Sequence, residues 1–258
     1  MLQNIVSSCR YLLQHYPEAK TCQDYLDSRL TPESQEKFQF GYFPSISHLA
    51  ALLPLVSEDI LIEDKLLKRE NIEDAWCPRT IKTLHFEDHP LIMPYKDPYG
   101  NVVGIVGRSL LSDQERKQKK IPKYKNTSHI TSKIKFHKVK FIFGLYENKE
   151  YILEKNSVYI VEGQFDVIKA VERGFRNIVA LGNSNMTPYQ FSIISRYTTN
   201  IRLLLDSDEA GEKGRKLIVS KFGHLANIHN FYLPEGYKDI DEYLTENSYE
   251  SLTFTVKH

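Results

Sequence analysis

The sequence has no long apolar run. No stretch approaches the roughly 20 residues needed to cross a bilayer, so no transmembrane helix and no membrane partner are expected. The first residues, Met-Leu-Gln-Asn-Ile, have neither the basic start nor the apolar stretch of a secretory signal. Cysteine is scarce. Cys9, Cys22 and Cys77 lie far apart, which excludes a disulfide framework or a Cys-x-x-Cys knuckle. Internal repeats and low-complexity tracts are absent as well. Net charge is almost nil, at +1.

That near-neutrality hides an asymmetry. From Arg108 to Lys140 there are eleven Lys or Arg residues against two acids, Asp113 and Glu115, a local balance of +9 that leaves −8 for the rest. Such a division suits a chain that grips a polyanion in one place and holds a cation in another. With 258 residues, 41% of them hydrophobic and 26% charged, the chain can bury a sizeable core in one large domain or two modest ones.

Residues 1 to about 75 read as mainly helical, with Ser45 to Lys68 at helical spacing and Pro54 ending or kinking that helix. Leu91 to Lys96, the turn Asp97-Pro-Tyr-Gly-Asn101 and Val102 to Gly107 read as strand, turn, strand. The polar, Lys-rich stretch from Ser112 to Thr131 is expected to be a mobile loop. From about Tyr151 the pattern alternates. Strands at Val158–Val161, Asn177–Leu181, Ile201–Leu205 and Ile228–Leu233 are separated by helices at Asp166–Arg173, Thr187–Tyr197 and Glu209–Phe222, which implies a parallel sheet with helices on its faces.

Two of these strands end in carboxylates: Val158-Tyr-Ile-Val-Glu162-Gly163 and Leu203-Leu-Leu-Asp206-Ser-Asp208. Ligands of open parallel sheets bind beyond the carboxyl ends of the strands. Glu162, Asp206 and Asp208 should therefore share a crevice, and crowded carboxylates call for a divalent cation such as Mg²⁺. A third acidic group, Lys238-Asp239-Ile-Asp241, follows the fourth strand. Helix capping alone would account for Asp166, and an acidic turn capping the next helix would account for Asp208. Three acidic strand ends in register are harder to explain that way.

The basic segment offers Arg108 at a strand end, then Lys123-Tyr124-Lys-Asn126, then Phe136-His137-Lys138. Charge, aromatic and amide interleave around Tyr124 as in single-strand or nucleotide binding, whereas Lys117, Lys119 and Lys120 read as a solvated face. Cys77, His85 and His89 have irregular spacing and no fourth partner, so no zinc is expected in this chain.

Taken together, these motifs resemble the catalytic core of the DnaG-type bacterial and phage primases. The acidic half is similar to the Toprim module: Glu162-Gly-Gln-Phe-Asp166, Asp206-Ser-Asp208-Glu-Ala-Gly211 and Lys238-Asp239-Ile-Asp241 match its three acidic motifs. Tyr25-Leu-Asp-Ser-Arg29, Met93-Pro-Tyr-Lys, Gly104 to Arg108, Pro122 to Asn126 and Phe136-His-Lys138 follow in that family's order. The fold implied is α/β: a Toprim domain with a central parallel sheet flanked by helices (149–245), preceded by a mixed α+β basic subdomain (1–148) and followed by a tail (246–258).

The resemblance further implies a nucleotidyltransferase that synthesises RNA primers on single-stranded DNA from ribonucleoside triphosphates, in the cytoplasm of a bacterial or phage-infected cell. One to three Mg²⁺ or Mn²⁺ ions would be held by Glu162, Asp206, Asp208, Asp239 and Asp241. Glu162, Asp206 and Asp208 would be catalytic, and Asp166 would stand behind them, holding a basic neighbour or supporting the ligands. Arg29, Arg108, Lys123, Tyr124, Asn126 and Lys138 would contact triphosphate and nucleic acid. The family's zinc ribbon and helicase-docking modules have no counterpart among these motifs, so a replicative helicase and a separate zinc-binding primase subunit are expected partners. The competing readings are a Toprim-type nuclease, which the basic motifs in primase order disfavour, and a nucleic-acid-binding replication subunit with an inactive site, which the complete acidic set disfavours.

Overall fold

The computed structural model describes residues 2–72, 79–127, 140–249 and 251–257. The chain forms two compact units, residues 1–95 with 102–136 and residues 96–101 with 137–258.

The first unit opens with helices α1 (Leu2–His15), α2 (Lys20–Asp27) and α3 (Pro32–Lys37). Helix α1 buries Leu2, Ile5, Val6, Cys9, Leu12 and Leu13, a 3.6-residue stripe that produces both the helix and its docking face. A short strand β1 (Gly41–Tyr42), helix α4 (Glu58–Glu63) and the strands β2 (Leu67–Ile72) and β3 (Arg79–Leu84) follow. The helix expected over Ser45 to Lys68 is thus broken into a 3₁₀ turn at Ile46–Ala51, α4, and the start of a strand. The Ser57 hydroxyl caps α4 by accepting from the Ile60 N–H. Strands β4 (Leu91–Lys96) and β5 (Val102–Arg108) flank the expected turn, where the Asp97 carboxylate accepts from the N–H groups of Tyr99 and Asn101, each at 2.9 Å.

The segment expected to be a mobile loop instead holds helix α5 (Asp113–Lys119) and strand β6 (Tyr124–Asn126). Helix α5 buries no residue, so it leaves no apolar periodicity to read. What starts it is a capping box: the Ser112 hydroxyl accepts from Glu115 N–H, and Glu115 reaches back to Ser112 N–H at 2.9 Å. The sheet order is β1-β4-β5-β6, with Arg108 opposite Tyr124 and Val106 opposite Asn126.

The second unit alternates as the sequence suggests. Helix α6 (Leu145–Lys155) leads into β7 (Val158–Val161), α7 (Gln164–Glu172), β8 (Ile178–Ala180), α8 (Pro188–Ile194), β9 (Asn200–Leu203), α9 (Glu209–Phe222), β10 (Asn227–Tyr232) and α10 (Ile240–Glu246). Residues 255–257, within the stretch read as a tail, form β11 and pair antiparallel with β10. The sheet order is β11-β10-β9-β7-β8, and every pairing but that of β11 is parallel.

Strand alternation sorts the core. Val158, Ile160, Ile201 and Leu203 join Leu145 and Ile152 of α6, Ile194 of α8, and Ile218 and Phe222 of α9 on one face. Helix α7 packs against β8 and α10. The chain runs from β7 outward to β8, then crosses to β9 on the other side. The switch point of the sheet therefore lies between β7 and β9, the two strands that lead into Glu162 and Asp206.

Helix α9 lies very close to two loops. A Cβ on Gly211 would meet the Asp206 carbonyl oxygen at 2.1 Å, and one on Gly214 would meet the Ser184 carbonyl oxygen at 2.1 Å. Replacing a helical Gly by Ala ordinarily gains up to ~1 kcal/mol, but overpacking against backbone costs roughly 1–3 kcal/mol or more. The clash wins at this distance. Gly214→Ala should lower the midpoint of urea unfolding, while Ser220→Ala, on the exposed side of the same helix, should leave it unchanged or slightly raised.

Candidate functional site

Glu162 is the residue after β7. Asp206 lies three residues beyond β9, where the ladder has ended, and Asp208 is the N-cap of α9. The Asp208 Oδ1 accepts from Gly211 N–H at 3.0 Å, leaving Oδ2 for other partners. Asp239 repeats this arrangement at α10, where its Oδ1 accepts from Glu242 N–H at 2.9 Å. The Ser207 N–H donates to the Lys238 carbonyl at 2.9 Å, which ties the second acidic loop to the third. The Lys238 ammonium stands 3.3 Å from Asp206 Oδ2 and 3.9 Å from Asp208 Oδ2.

Asp166 is not the N-cap that helix capping alone would make it. It occupies the third position of α7, is 6% exposed, and accepts from Gly163 N–H at 2.9 Å. Its strongest charged neighbours are acids, with no base among them. Burial first, then Asp239, Asp206 and Asp241, push its carboxyl well above the usual range, against the Gly163 bond. Burial likewise lifts Glu162, with help from Asp206 and Asp208, to about 7. Asp206 is raised by burial, while Lys238 opposes the shift.

The structure therefore brings Glu162, Asp166, Asp206, Asp208, Asp239 and Asp241 into one electrostatic neighbourhood. Among the described residues no three acidic, His or Cys side chains converge into a ready-made ion cage. The donor set nonetheless fits a hard divalent cation: carboxylate oxygens only, mutually repulsive, two with a second oxygen outside the caps, and already drawing an ammonium between them. Sequence reasoning missed Lys238 as a partner of these acids. It also missed Arg215 of α9, whose guanidinium donates to the carbonyls of Leu205 and Asp206 (3.1 Å to the latter).

In the first unit a cationic cluster forms around two tyrosines. The Arg108 guanidinium lies 5.0 Å from the Tyr25 ring centroid and 5.2 Å from that of Tyr124, and it donates to the Tyr124 hydroxyl. Arg29 belongs to the same group, 5.7 Å from the Tyr25 centroid, and donates to the Tyr25 hydroxyl at 3.0 Å. The Lys123 ammonium is 5.8 Å from the Tyr124 centroid. Burial lowers Lys123, and Arg108, Arg116 and Arg29 lower it further, opposed by Asp113. Arg29, Arg108, Lys123 and Tyr124 are thus assembled. Asn126 sits in β6 with its side-chain oxygen buried and unbonded among the described residues.

Two histidines place that strand. His85 Nε2 meets the Asn126 carbonyl at 2.9 Å, and His89 Nε2 meets the Pro122 carbonyl at 2.8 Å. They hold β6 and the residues leading into it by the backbone. Cys77, Phe136, His137 and Lys138 lie outside the described residues.

The unit with this mainly parallel sheet and carboxylates at its switch point matches the Toprim-like family model over residues 159–244. The model for the N-terminal domain of the DNA primase catalytic core matches residues 10–149. The DNA primase of Aquifex aeolicus is 32% identical over 246 residues, covering 95% of this chain and 46% of that protein. The DNA primase of Synechococcus elongatus is also 32% identical, over 90% of this chain and 33% of its own length. The crystal structure of the Aquifex aeolicus primase, comprising its zinc-binding and RNA polymerase domains, matches with a TM-score of 0.76 over 98% of this chain and 60% of that one. The chain belongs to the DnaG-type primase catalytic-core family. It spans about half or less of the length of those curated relatives.

The raised Glu162 carboxyl sets a sign for stability. The folded chain holds this proton more tightly than the unfolded chain, so the contribution is fully present below about pH 4.5 and is lost as pH rises through about 7. Glu162→Gln, freed of that dependence, should gain melting temperature relative to the parent between pH 5 and pH 8 in chelator-treated buffer. Parallel pH profiles for the two proteins would refute the assignment.

Proposed function

We propose that this chain synthesises short RNA primers on a single-stranded DNA template by cation-assisted nucleotidyl transfer. The observation that carries the reading is the carboxylate group at the sheet's switch point, in a chain whose other unit bears an aromatic-braced cationic cluster. Asp206, Asp208, Asp239 and Asp241, with Glu162, would hold one to three Mg²⁺ or Mn²⁺ ions. Bound there, such an ion supplies charge neutralisation for a triphosphate and lowers the pKa of an attacking hydroxyl.

The chain's own groups divide the remaining work. Glu162, whose carboxyl is lifted to about 7 by burial and neighbouring acids in the metal-free chain, would either complete the cation shell or assist transfer of the primer 3′-hydroxyl proton. Asp166 keeps its neighbours' backbone in place through the Gly163 bond. Arg29, Arg108 and Lys123 bind phosphate oxygens and so position the strand or the triphosphate rather than read its sequence. Tyr25 and Tyr124 fix the arginines before the ligand arrives, which limits the ordering cost on binding. Tyr124 also offers a stacking face for a base, and Asn126 a side-chain amide. Lys138 is assigned to the same surface on its sequence motif alone. A replicative helicase and a separate zinc-binding primase subunit complete the proposed assembly, and residues 1–148 and 149–245 are proposed as its two catalytic-core domains.

Purified protein incubated with single-stranded template, labelled ribonucleotides and Mg²⁺ or Mn²⁺ tests this directly. Template-dependent short RNA is expected. Loss of groups that merely support metal ligands typically costs ~10–100-fold, so Asp208→Ala, which removes a ligand, should exceed that while remaining folded. A folded variant working at the parent's rate would remove Asp208 from the site, and shortened template without RNA would replace synthesis by strand cleavage.

The cationic cluster has its own readout. Removing one phosphate-binding cation makes the slope of log affinity against log salt shallower by about 1. Lys123→Gln should therefore bind single-stranded DNA more weakly and with a slope reduced by about that amount, as read by fluorescence anisotropy across a salt series. An unchanged slope would take Lys123 off the phosphate path.

A further inference from the structure

A buried arginine that the acidic motifs do not include lies against the backbone of the second acidic loop. Arg215 is 1% exposed, in the second turn of α9. Its Nη1 donates to the Asp206 carbonyl at 3.1 Å and its Nη2 to the Leu205 carbonyl. Strand β9 ends at Leu203, so neither carbonyl belongs to a sheet ladder, and a buried carbonyl without a donor is costly. A planar fork can serve two adjacent carbonyls at once; a lysine ammonium on a flexible stem cannot hold both in a fixed relation.

The guanidinium is itself fixed. Its carbon stands 4.4 Å from the centroid of the Tyr232 ring, and the Tyr232 hydroxyl donates to Glu212 Oε2 at 3.1 Å. Glu212 is 3.8 Å from Arg215 Nη1, too far for a tight pair, and its side chain is 44% exposed. Arg215 Nε is buried with no hydrogen-bond partner among the described residues. A buried cation so sparsely paired is expensive. What it gains is a grip on the peptide groups that carry Asp206, beneath an acidic cluster whose charge it partly offsets.

We propose that Arg215 is a positioning residue for the cation site: its fork sets the backbone at Leu205–Asp206, and thereby the spacing of the Asp206 carboxylate from Asp208, which the α9 cap fixes separately. The inference rests on the cation-site reading above but not on primer synthesis.

The test uses the full chain and Mn²⁺ alone, with binding followed by titration calorimetry and by the paramagnetic resonance of free Mn²⁺, well below the unfolding midpoint. Arg215→Lys keeps the charge and loses the fork. Its Mn²⁺ dissociation constant should rise roughly tenfold or more, in the range found when groups behind metal ligands are removed. A folded Arg215→Lys binding Mn²⁺ within about twofold of the parent, whatever its melting temperature, would reduce Arg215 to a structural residue and overturn the proposal. Should Arg215→Lys lack a cooperative unfolding transition, Tyr232→Leu at the half-buried edge loosens the same guanidinium. A weakening of about threefold is then expected, and unchanged affinity overturns the proposal equally. A parent chain that binds no Mn²⁺ would remove the cation site and this role with it, whereas a chain that binds Mn²⁺ but makes no RNA would count against primer synthesis alone.

Discussion

Six carboxylates lie within electrostatic reach of one another beyond the ends of β7 and β9, some of them buried, and much of the second unit is arranged to make that tolerable. Ionised acids at short range in a poorly hydrated space raise one another's pKa and work against folding. The shifts of Glu162, Asp166 and Asp206 express that strain directly. Each relief is local. Asp208 and Asp239 give one oxygen to a helix N-terminus, Asp166 gives one to a turn N–H, Lys238 leans between two acids, and Arg215 lies beneath them. None neutralises the group fully, which leaves it receptive to a cation.

The first unit poses the mirror problem. Arg29, Arg108 and Lys123 are held near one another with Asp113 as the main opposing acid in Lys123's surroundings. Aromatic faces and hydroxyls contribute to the relief here, lowering the cost of burying guanidinium. The two histidines that hold the Pro122 and Asn126 carbonyls keep Tyr124, which lies between them in sequence, where the bracing needs it.

Much of this was legible in the sequence, for identifiable reasons. The β/α alternation after Tyr151 follows from short apolar runs such as Val158 to Val161, buried throughout because helices cover both faces of the sheet, and the acids stand out because strands rarely end in them. Helix α5 was illegible as structure because no face of it is buried; only the Ser112–Glu115 capping pair marked it, and the lysines around it read as loop. The stretch from Ser45 to Lys68 misled in the opposite way, since its apolar residues serve a 3₁₀ turn, a short helix and a strand start in succession. Arg215 could not be found from spacing. It acts on backbone carbonyls, and no pattern of side chains announces which peptide groups a helix will cover. Gly211 was the available hint, because a helix that close to Asp206 must bring some side chain against its carbonyl.

Capping, the bland explanation of Asp208 and one that the structure extends to Asp239, is compatible with the cation binding proposed for both. A carboxylate whose Oδ1 is committed to an N-cap has lost rotational freedom, and its Oδ2 then points in a direction that the helix sets. Mg²⁺ favours this kind of donor, since it takes few carboxylates and keeps several waters in near-octahedral order. An uncapped aspartate could wrap an ion with both oxygens but would have to be ordered on binding. The capped pair is ordered in advance, and that ordering extends through Arg215 and the Ser207–Lys238 bond to the loops themselves. Capping and the proposed coordination therefore do not compete as explanations of these residues: the cap orients the oxygen that the proposed ion would take.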